Sequence, residues 1–252
     1  MNFPFTIYFG NSPIQLHVIL ETLAFFVGFR YFLYLRKKKG DQYPSSERMY
    51  IIIGAIFGAL LGSRIIGSLE RPNELLNAKN ILWYVYNNKT VLGGFLGGLF
   101  GVELTKKFIG YKQASGDLFV YPIILALIIG RLGCFSMGVF EETYGLPTSL
   151  PWGLDLGDGI MRHPVTLYEI VFLFALWMAL HYAKKKASLE NGALFKLFMI
   201  AYLLFRFLLD FIKPYYPIVL GLSTIQLASL LGLVYYLPYI FFPKRLLTAA
   251  YA

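Results

Sequence analysis

The stretch LFVYPIILALIIGRLGCF, Leu118 to Phe135, carries a single charged residue, Arg131. A segment needs ~20 mainly apolar residues to cross the hydrocarbon of a bilayer, and this one approaches that length. Backbone groups without partners are costly in hydrocarbon, so a continuous apolar run of this kind reads as a helix; barrel strands alternate and do not fit it. Working outward, similar stretches run from Ile14 to Leu35, Met49 to Leu69, Val91 to Phe108, Val165 to Tyr182, Ala193 to Phe211 and Val219 to Phe241. The third is short, and some carry charges. The expected fold is all-α: a polytopic membrane protein with seven transmembrane helices, one domain over residues 1–252. Composition agrees, because 57% of the residues are apolar and the mean hydropathy is +0.59, more than a water-facing domain carries.

The cations sit on alternate connections. Arg36, Lys37, Lys38, Lys39 and Arg48 follow the first stretch, Lys106, Lys107 and Lys112 the third, Lys184, Lys185 and Lys186 the fifth, and Lys244 and Arg245 the last. The other side has fewer: Arg71, Lys79, Lys89, Arg162 and Lys213. Cytoplasmic loops carry the excess of Lys and Arg, so the amino terminus is expected outside, the carboxyl terminus in the cytoplasm, and the number of spans odd. The net charge of +9 is explained by this clustering and gives no weight to a nucleic-acid partner. Met1 to Ser12 lack a basic leader and a small-residue cleavage site, so the first span reads as a retained helix. The single cysteine, Cys134, excludes an intrachain disulfide and the usual multi-thiolate zinc or iron–sulfur sites. It reads first as a small residue packed in a helix.

Charges inside spans carry more information, since a cation at the bilayer centre costs ~2.5–3.5 kcal/mol on insertion scales. Arg64 and Arg206 lie well inside their stretches, and Arg131 lies one turn from the outer end of the fourth. An arginine can snorkel, or pair with an acid such as Asp210, one turn beyond Arg206. Together the three suggest an anionic ligand, because the guanidinium fork matches phosphate oxygens. Two glycine ladders, Gly54-Gly58-Gly62 and Gly93-Gly97-Gly101 with Gly94 and Gly98 interleaved, leave bare stripes for close helix packing or for an acyl-chain groove. Between the fourth and fifth spans, residues 136–164 mix Glu141, Glu142, Tyr144, Trp152, Asp155, Asp158, Arg162 and His163 with glycines and prolines. That mixture predicts a folded non-cytoplasmic loop over a membrane cleft.

Specific blocks now align. Gly130-Arg131-Leu132-Gly133-Cys134-Phe135, Tyr144-Gly145, Pro147-Thr148, Pro151-Trp152-Gly153, Arg162-His163-Pro164 and Leu167-Tyr168-Glu169 stand in this order. Gly62-Ser63-Arg64, Gly97-Gly98-Leu99 and Phe205-Arg206 with Asp210 extend the match to nearly the whole chain. The sequence resembles the prolipoprotein diacylglyceryl transferase family. The resemblance implies a bacterial inner-membrane enzyme that moves the diacylglyceryl group of phosphatidylglycerol onto the lipobox cysteine thiol at the signal peptide of a preprolipoprotein. A thioether forms and glycerol phosphate leaves, with no metal or organic cofactor. By the same resemblance Arg131 and Arg206 bind the phosphatidylglycerol phosphate with support from Arg64. His163 and Glu169 orient groups or take a proton, or scaffold the loop, and Gly145, Trp152, Arg162 and Tyr168 support that loop.

The departures bear on mechanism. Where the family has a histidine before the glycine pair of the third span, a candidate base for the thiol, this chain has Leu96. Cys134 stands for the usual asparagine, and Met137-Gly138-Val139 for asparagine–glycine–glutamate, with Glu141 or Glu142 as substitute acids. Two alternatives therefore stand beside the transferase: a phospholipid-binding or transport protein on the same fold, and a transferase with another acceptor. No internal repeat of the transporter kind is visible.

Overall fold

The computed structural model describes residues 3–10 and 12–248, so part of the amino-terminal segment read as lacking a leader lies outside the description. Among these residues the helices are α1 (Leu16–Lys39), α2 (Ser45–Ser68), α3 (Pro72–Leu76), α4 (Ile81–Asn87), α5 (Val91–Phe108), α6 (Val120–Met137), α7 (Val165–Lys186), α8 (Ala193–Leu209) and α9 (Thr224–Phe241). One long helix answers each apolar stretch. The ninth starts later than its stretch because Ser223 caps it, accepting from the Gln226 N–H while the Gln226 side chain returns the bond. Four helices, α1, α2, α7 and α9, and the segment Asp117–Phe140 around α6 are long and apolar enough to cross a membrane. In α5 the last turns carry Glu103, Lys106 and Lys107, and α8 has only 17 residues.

The all-α expectation needs a correction in the connections. Two short antiparallel hairpins are present, β1 (Thr6–Phe9) with β2 (Ser12–Gln15) before α1, and β3 (Leu154–Asp155) with β4 (Met161–Arg162) in the long loop. The short helices α3 and α4 were also not anticipated, since neither is long enough to show a hydrophobic period.

The outward faces are apolar. Phe25, Phe26, Phe57, Leu61, Phe100, Phe174, Leu208 and Val234 are all more than half exposed, a pattern that suits hydrocarbon as solvent and not water. Inside, Leu92, Val120, Ile124, Leu173, Phe198, Tyr202, Leu203, Ile225 and Tyr236 form one contiguous core. The glycine ladders belong to the tightest seam. A Cβ at Gly58 would run into the Gly97 carbonyl oxygen, one at Gly62 into that of Gly93, and one at Gly101 into that of Gly54. These six glycines let α2 and α5 touch backbone to backbone, which settles the packing reading for them; Gly94 and Gly98 lie at the flank of the seam, where a Cβ would meet α2 only in ordinary contact.

Every second helix end falls at the same end of the bundle. The start of α1, the end of α2, the starts of α5 and α7, the end of α6, the end of α8 and the start of α9 share it with the long loop. At the opposite end Asp41 accepts from Arg36 Nε at 2.9 Å and Arg48 Nε at 2.7 Å, and Arg48 donates on to the Ser115 carbonyl at 3.0 Å. Asp117 there accepts the Gly192 and Phe195 N–H groups, filling the orphan donors at the start of α8.

Candidate active site

At the loop-bearing end, Arg131 from α6, Glu169 from α7 and Arg206 and Tyr202 from α8 meet in the protein interior. Glu169 is 1% exposed, Arg131 7% and Arg206 6%. Arg131 Nε lies 2.9 Å and Arg206 Nη1 3.1 Å from the same carboxylate oxygen, Glu169 Oε2, while Tyr202 Oη donates to Oε1 at 2.8 Å. The stack of Phe172 on Phe205, centroids 4.0 Å apart, clamps α7 to α8 one turn away. Phe95 of α5 meets the Tyr202 ring edge-on at 5.1 Å.

Tyr202 and Arg206 donate to the Glu169 carboxylate and the Arg131 guanidinium pairs with it, an arrangement suited to holding the two arginines in place. Two guanidiniums share one carboxylate, which leaves the cluster one positive charge in excess in a site where an unpaired charge is costly. Arg206 Nε is buried with no hydrogen-bond partner among the described residues, while the Arg131 guanidinium also faces the Cys134 sulfur. The pairing of Arg206 with Asp210 is replaced by this arrangement: Asp210 instead accepts from the Ser223 hydroxyl and ties α8 to the cap of α9. Beyond the helices, burial pushes the Glu70 carboxyl up and the Lys213 ammonium down; each is near Arg206 and Asp210.

The other sequence candidates divide. Arg64 donates to the Tyr86 carbonyl and stacks 4.9 Å over the Tyr86 ring, separate from the arginine–glutamate cluster. His163 bonds through Nδ1 to Tyr168 Oη at 3.2 Å, and that hydroxyl also receives Trp152 Nε1 at 2.8 Å. Arg162 pairs with Asp158 at 2.6 Å and lies 5.0 Å over the Tyr144 ring. That pairing comes first among the causes holding the Asp158 carboxyl below its usual range. At Gly145 a Cβ would enter the backbone of His163, so only glycine lets these strands of the loop pass. The loop is then pinned to the end of α8, because Leu146 N–H donates to the Ile212 carbonyl at 2.9 Å. His163, Trp152, Tyr168, Arg162 and Gly145 thus form one scaffold.

A second group was not anticipated as a site. His17 in the first turn of α1, Cys134 in α6 and Glu141 in the loop each offer one ligand-type atom within 4.8 Å of the others. His17 Nδ1 is 3.2 Å from Glu141 Oε2, and Cys134 Sγ is 4.0 Å from Glu141 Oε1. Arg131 Nη1 lies 3.7 Å from the same sulfur, joining this group to the arginine cluster. Glu142 faces away and pairs with Arg71 at 2.5 Å, so of the two loop acids only Glu141 is at the site. Leu96 packs against the apolar core beside Gly232.

The family model for prolipoprotein diacylglyceryl transferase matches residues 4–242. A phosphatidylglycerol–prolipoprotein diacylglyceryl transferase of Bordetella bronchiseptica is 33% identical over 180 residues, 65% of this chain and 62% of that protein. Proteins of the same name from Finegoldia magna, 27% identical over 86% of both chains, and from the Wolbachia of Brugia malayi, 28% identical over 91% of this chain and 92% of theirs, match over greater lengths. The chain thus spans less than two thirds of the Bordetella relative but nearly all of the Wolbachia one. With a family match from the amino-terminal hairpin to the end of α9, and the family's arginine blocks gathered at one end of the bundle, this chain belongs to the prolipoprotein diacylglyceryl transferase family.

Proposed function

We propose that this chain transfers the diacylglyceryl group of phosphatidylglycerol to the lipobox cysteine thiol of a preprolipoprotein, in the bacterial cytoplasmic membrane. The observation that carries the reading is the buried Arg131–Glu169–Arg206 cluster with its excess positive charge. A lipid phosphate supplies one negative charge and balances it. As the glyceryl carbon–oxygen bond breaks, charge grows on the departing glycerol phosphate, and guanidiniums fixed in advance favour that change over the ground state. Glu169 and Tyr202 hold the two arginines in register, and Arg64, which lies apart from them against Tyr86, is assigned a supporting part in holding the headgroup.

The same reading includes seven spans, with α5 and α8 crossing as well. Phe100 of α5 and Leu208 of α8 present apolar surface outward like the longer helices. The lysine clusters at the ends of α1, α5 and α7 support an amino terminus outside and a carboxyl terminus in the cytoplasm. Arg131, Arg206 and the loop of residues 136–164 then lie at the outer face, where a signal peptide presents its cysteine. A second reading, phospholipid binding without transfer, is favoured by Leu96, whose side chain cannot transfer a proton and packs against the core.

The test is transfer of labelled diacylglyceryl from phosphatidylglycerol to a lipobox peptide by purified protein, with Arg131→Ala and a cysteine-free peptide beside it. Thioether product lost in both controls supports the transferase. Lipid bound in an Arg131-dependent way with no product overturns it in favour of the binding reading.

A further inference from the structure

We propose that His17, Cys134 and Glu141 form a three-ligand site for a thiophilic divalent cation, zinc above all, whose open fourth position takes the acceptor thiol. The ligand types fit, since zinc accepts imidazole nitrogen, thiolate sulfur and carboxylate oxygen, and catalytic zinc keeps three protein ligands and one open place. The spacing is within reach of an ion. Bonds of ~2.0–2.3 Å in a tetrahedron set ligand atoms roughly 3.3–3.5 Å apart; here Nδ1 is 3.2 Å from one Glu141 oxygen, and Sγ, 4.0 Å from the other, would be drawn inward on binding.

Two further observations point to a ligand and not to a plain polar contact. His17 Nδ1 and Glu141 Oε2 are buried atoms that face each other without hydrogen-bond geometry. The other ring nitrogen, Nε2, lies 3.4 Å from the Glu21 carboxylate, which is itself paired with Lys89 at 2.5 Å. A metal-binding histidine ordinarily donates its second N–H to a carboxylate in this way, which fixes the tautomer and turns the free nitrogen to the ion. The three ligands come from three places along the chain, so the site escapes a search for clustered cysteines.

The site answers what the loss of a histidine at position 96 leaves open, and in this respect it rests on the transferase reading. A thiol that binds the cation gives up its proton to solvent and stays as thiolate at neutral pH. Its sulfur pair then forms the bond to the glyceryl carbon while the carbon–oxygen bond breaks, and the electron pair of the broken bond leaves on the glycerol phosphate oxygen. Arg131, 3.7 Å from Cys134 Sγ, spans the distance between the thiolate position and the departing phosphate.

The experiment uses full-length protein in detergent, stripped with chelator and titrated with Zn²⁺ and with Co²⁺. About one ion per chain is expected, with the near-ultraviolet thiolate-to-cobalt absorption of one Cys ligand. Cys134→Ser should remove that absorption. Glu21→Gln, which leaves all three ligands in place, should weaken binding by ~10–100-fold. A cysteine-containing lipobox peptide should raise the thiolate absorption, and its serine counterpart should not. Transfer should fall in the stripped protein and return with Zn²⁺. No stoichiometric binding, cobalt absorption indifferent to Cys134→Ser, or full transfer by metal-free protein overturns the site, the last while leaving the transferase standing. Cobalt binding and a peptide-dependent band without thioether product sustain the site and sink the transferase.

Discussion

At the scale of single residues, the consequence lies in how few groups hold the arginines. Glu169→Ala would leave two buried guanidiniums facing each other, and removing one partner of a buried ion pair costs ~3–5 kcal/mol. Thermal unfolding of that variant in detergent should show a large fall, whereas Tyr202→Phe, which deletes one hydrogen bond to a charged group, should cost about 1.5–3 kcal/mol. Equal losses for the two would show that Glu169 is not the shared counter-charge. Arg131→Lys keeps the charge but removes the fork, so transfer should fall by ~10²-fold or more with the fold intact. The sequence exposed the arginines because a cation in an apolar stretch is rare, and the motif blocks pointed at Glu169. It did not expose their partnership. Helix periodicity offered Asp210 to Arg206, whereas the carboxylate that meets it comes from another helix, and pairing across helices leaves no trace in spacing. Glu141 is among the substitute acids, but its meeting with His17 escaped for the same reason: the two lie 124 residues apart in sequence and 3.2 Å apart in space.

At the scale of elements, the glycine ladders make opposite predictions for the centre and the flank of one helix seam. Gly58→Ala and Gly97→Ala push a methyl group into a backbone carbonyl of the facing helix, so α2 and α5 must separate or shift. Overpacking of this kind costs ~1–3 kcal/mol or more. Gly94→Ala meets its nearest neighbours only at 3.9 Å, an ordinary contact. There the better helix propensity of alanine, worth up to about 1 kcal/mol, should leave stability unchanged or raised. Midpoints of thermal unfolding for the three variants check this, and a destabilised Gly94→Ala would show that both stripes are packed. The ladder was legible as a device for close approach, but its partner was not, because a four-residue repeat says nothing about which helix it faces. The hairpin of β3 and β4 was illegible too. Its strands are two residues long, below the length at which alternation shows, although the surrounding glycines and prolines did announce a folded loop.

At the scale of the whole molecule, the two ends of the bundle use charge differently: the loop-bearing end gathers two buried arginines around one carboxylate, and the opposite end uses its charges to lock connections. Asp41 is the centre of the lock. Burial alone would push its carboxyl up, but Arg48, the Tyr43 N–H and Arg36 outweigh that and hold it below the ordinary carboxylate range. Arg48, 1% exposed, carries the lock to Ser115 between α5 and α6. A carboxyl whose folded value is depressed binds its proton more readily in the unfolded chain. Its contribution is therefore complete above the unfolded value of ~3.9 and is lost as the pH falls through the lower folded value. Asp41→Asn removes that contribution at every pH and leaves Arg48 buried without its counter-charge, at a cost of ~3 kcal/mol or more near neutrality. Unfolding midpoints of the two proteins should lie far apart at about pH 7 and draw together below about pH 4, as the wild-type carboxyl also becomes neutral. A gap that stays constant into acid would mean that Asp41 holds the loops by shape and hydrogen bonding and not by charge. The alternate placing of cations, plain in the sequence as an orientation signal, would then have no part in joining the helices at that end.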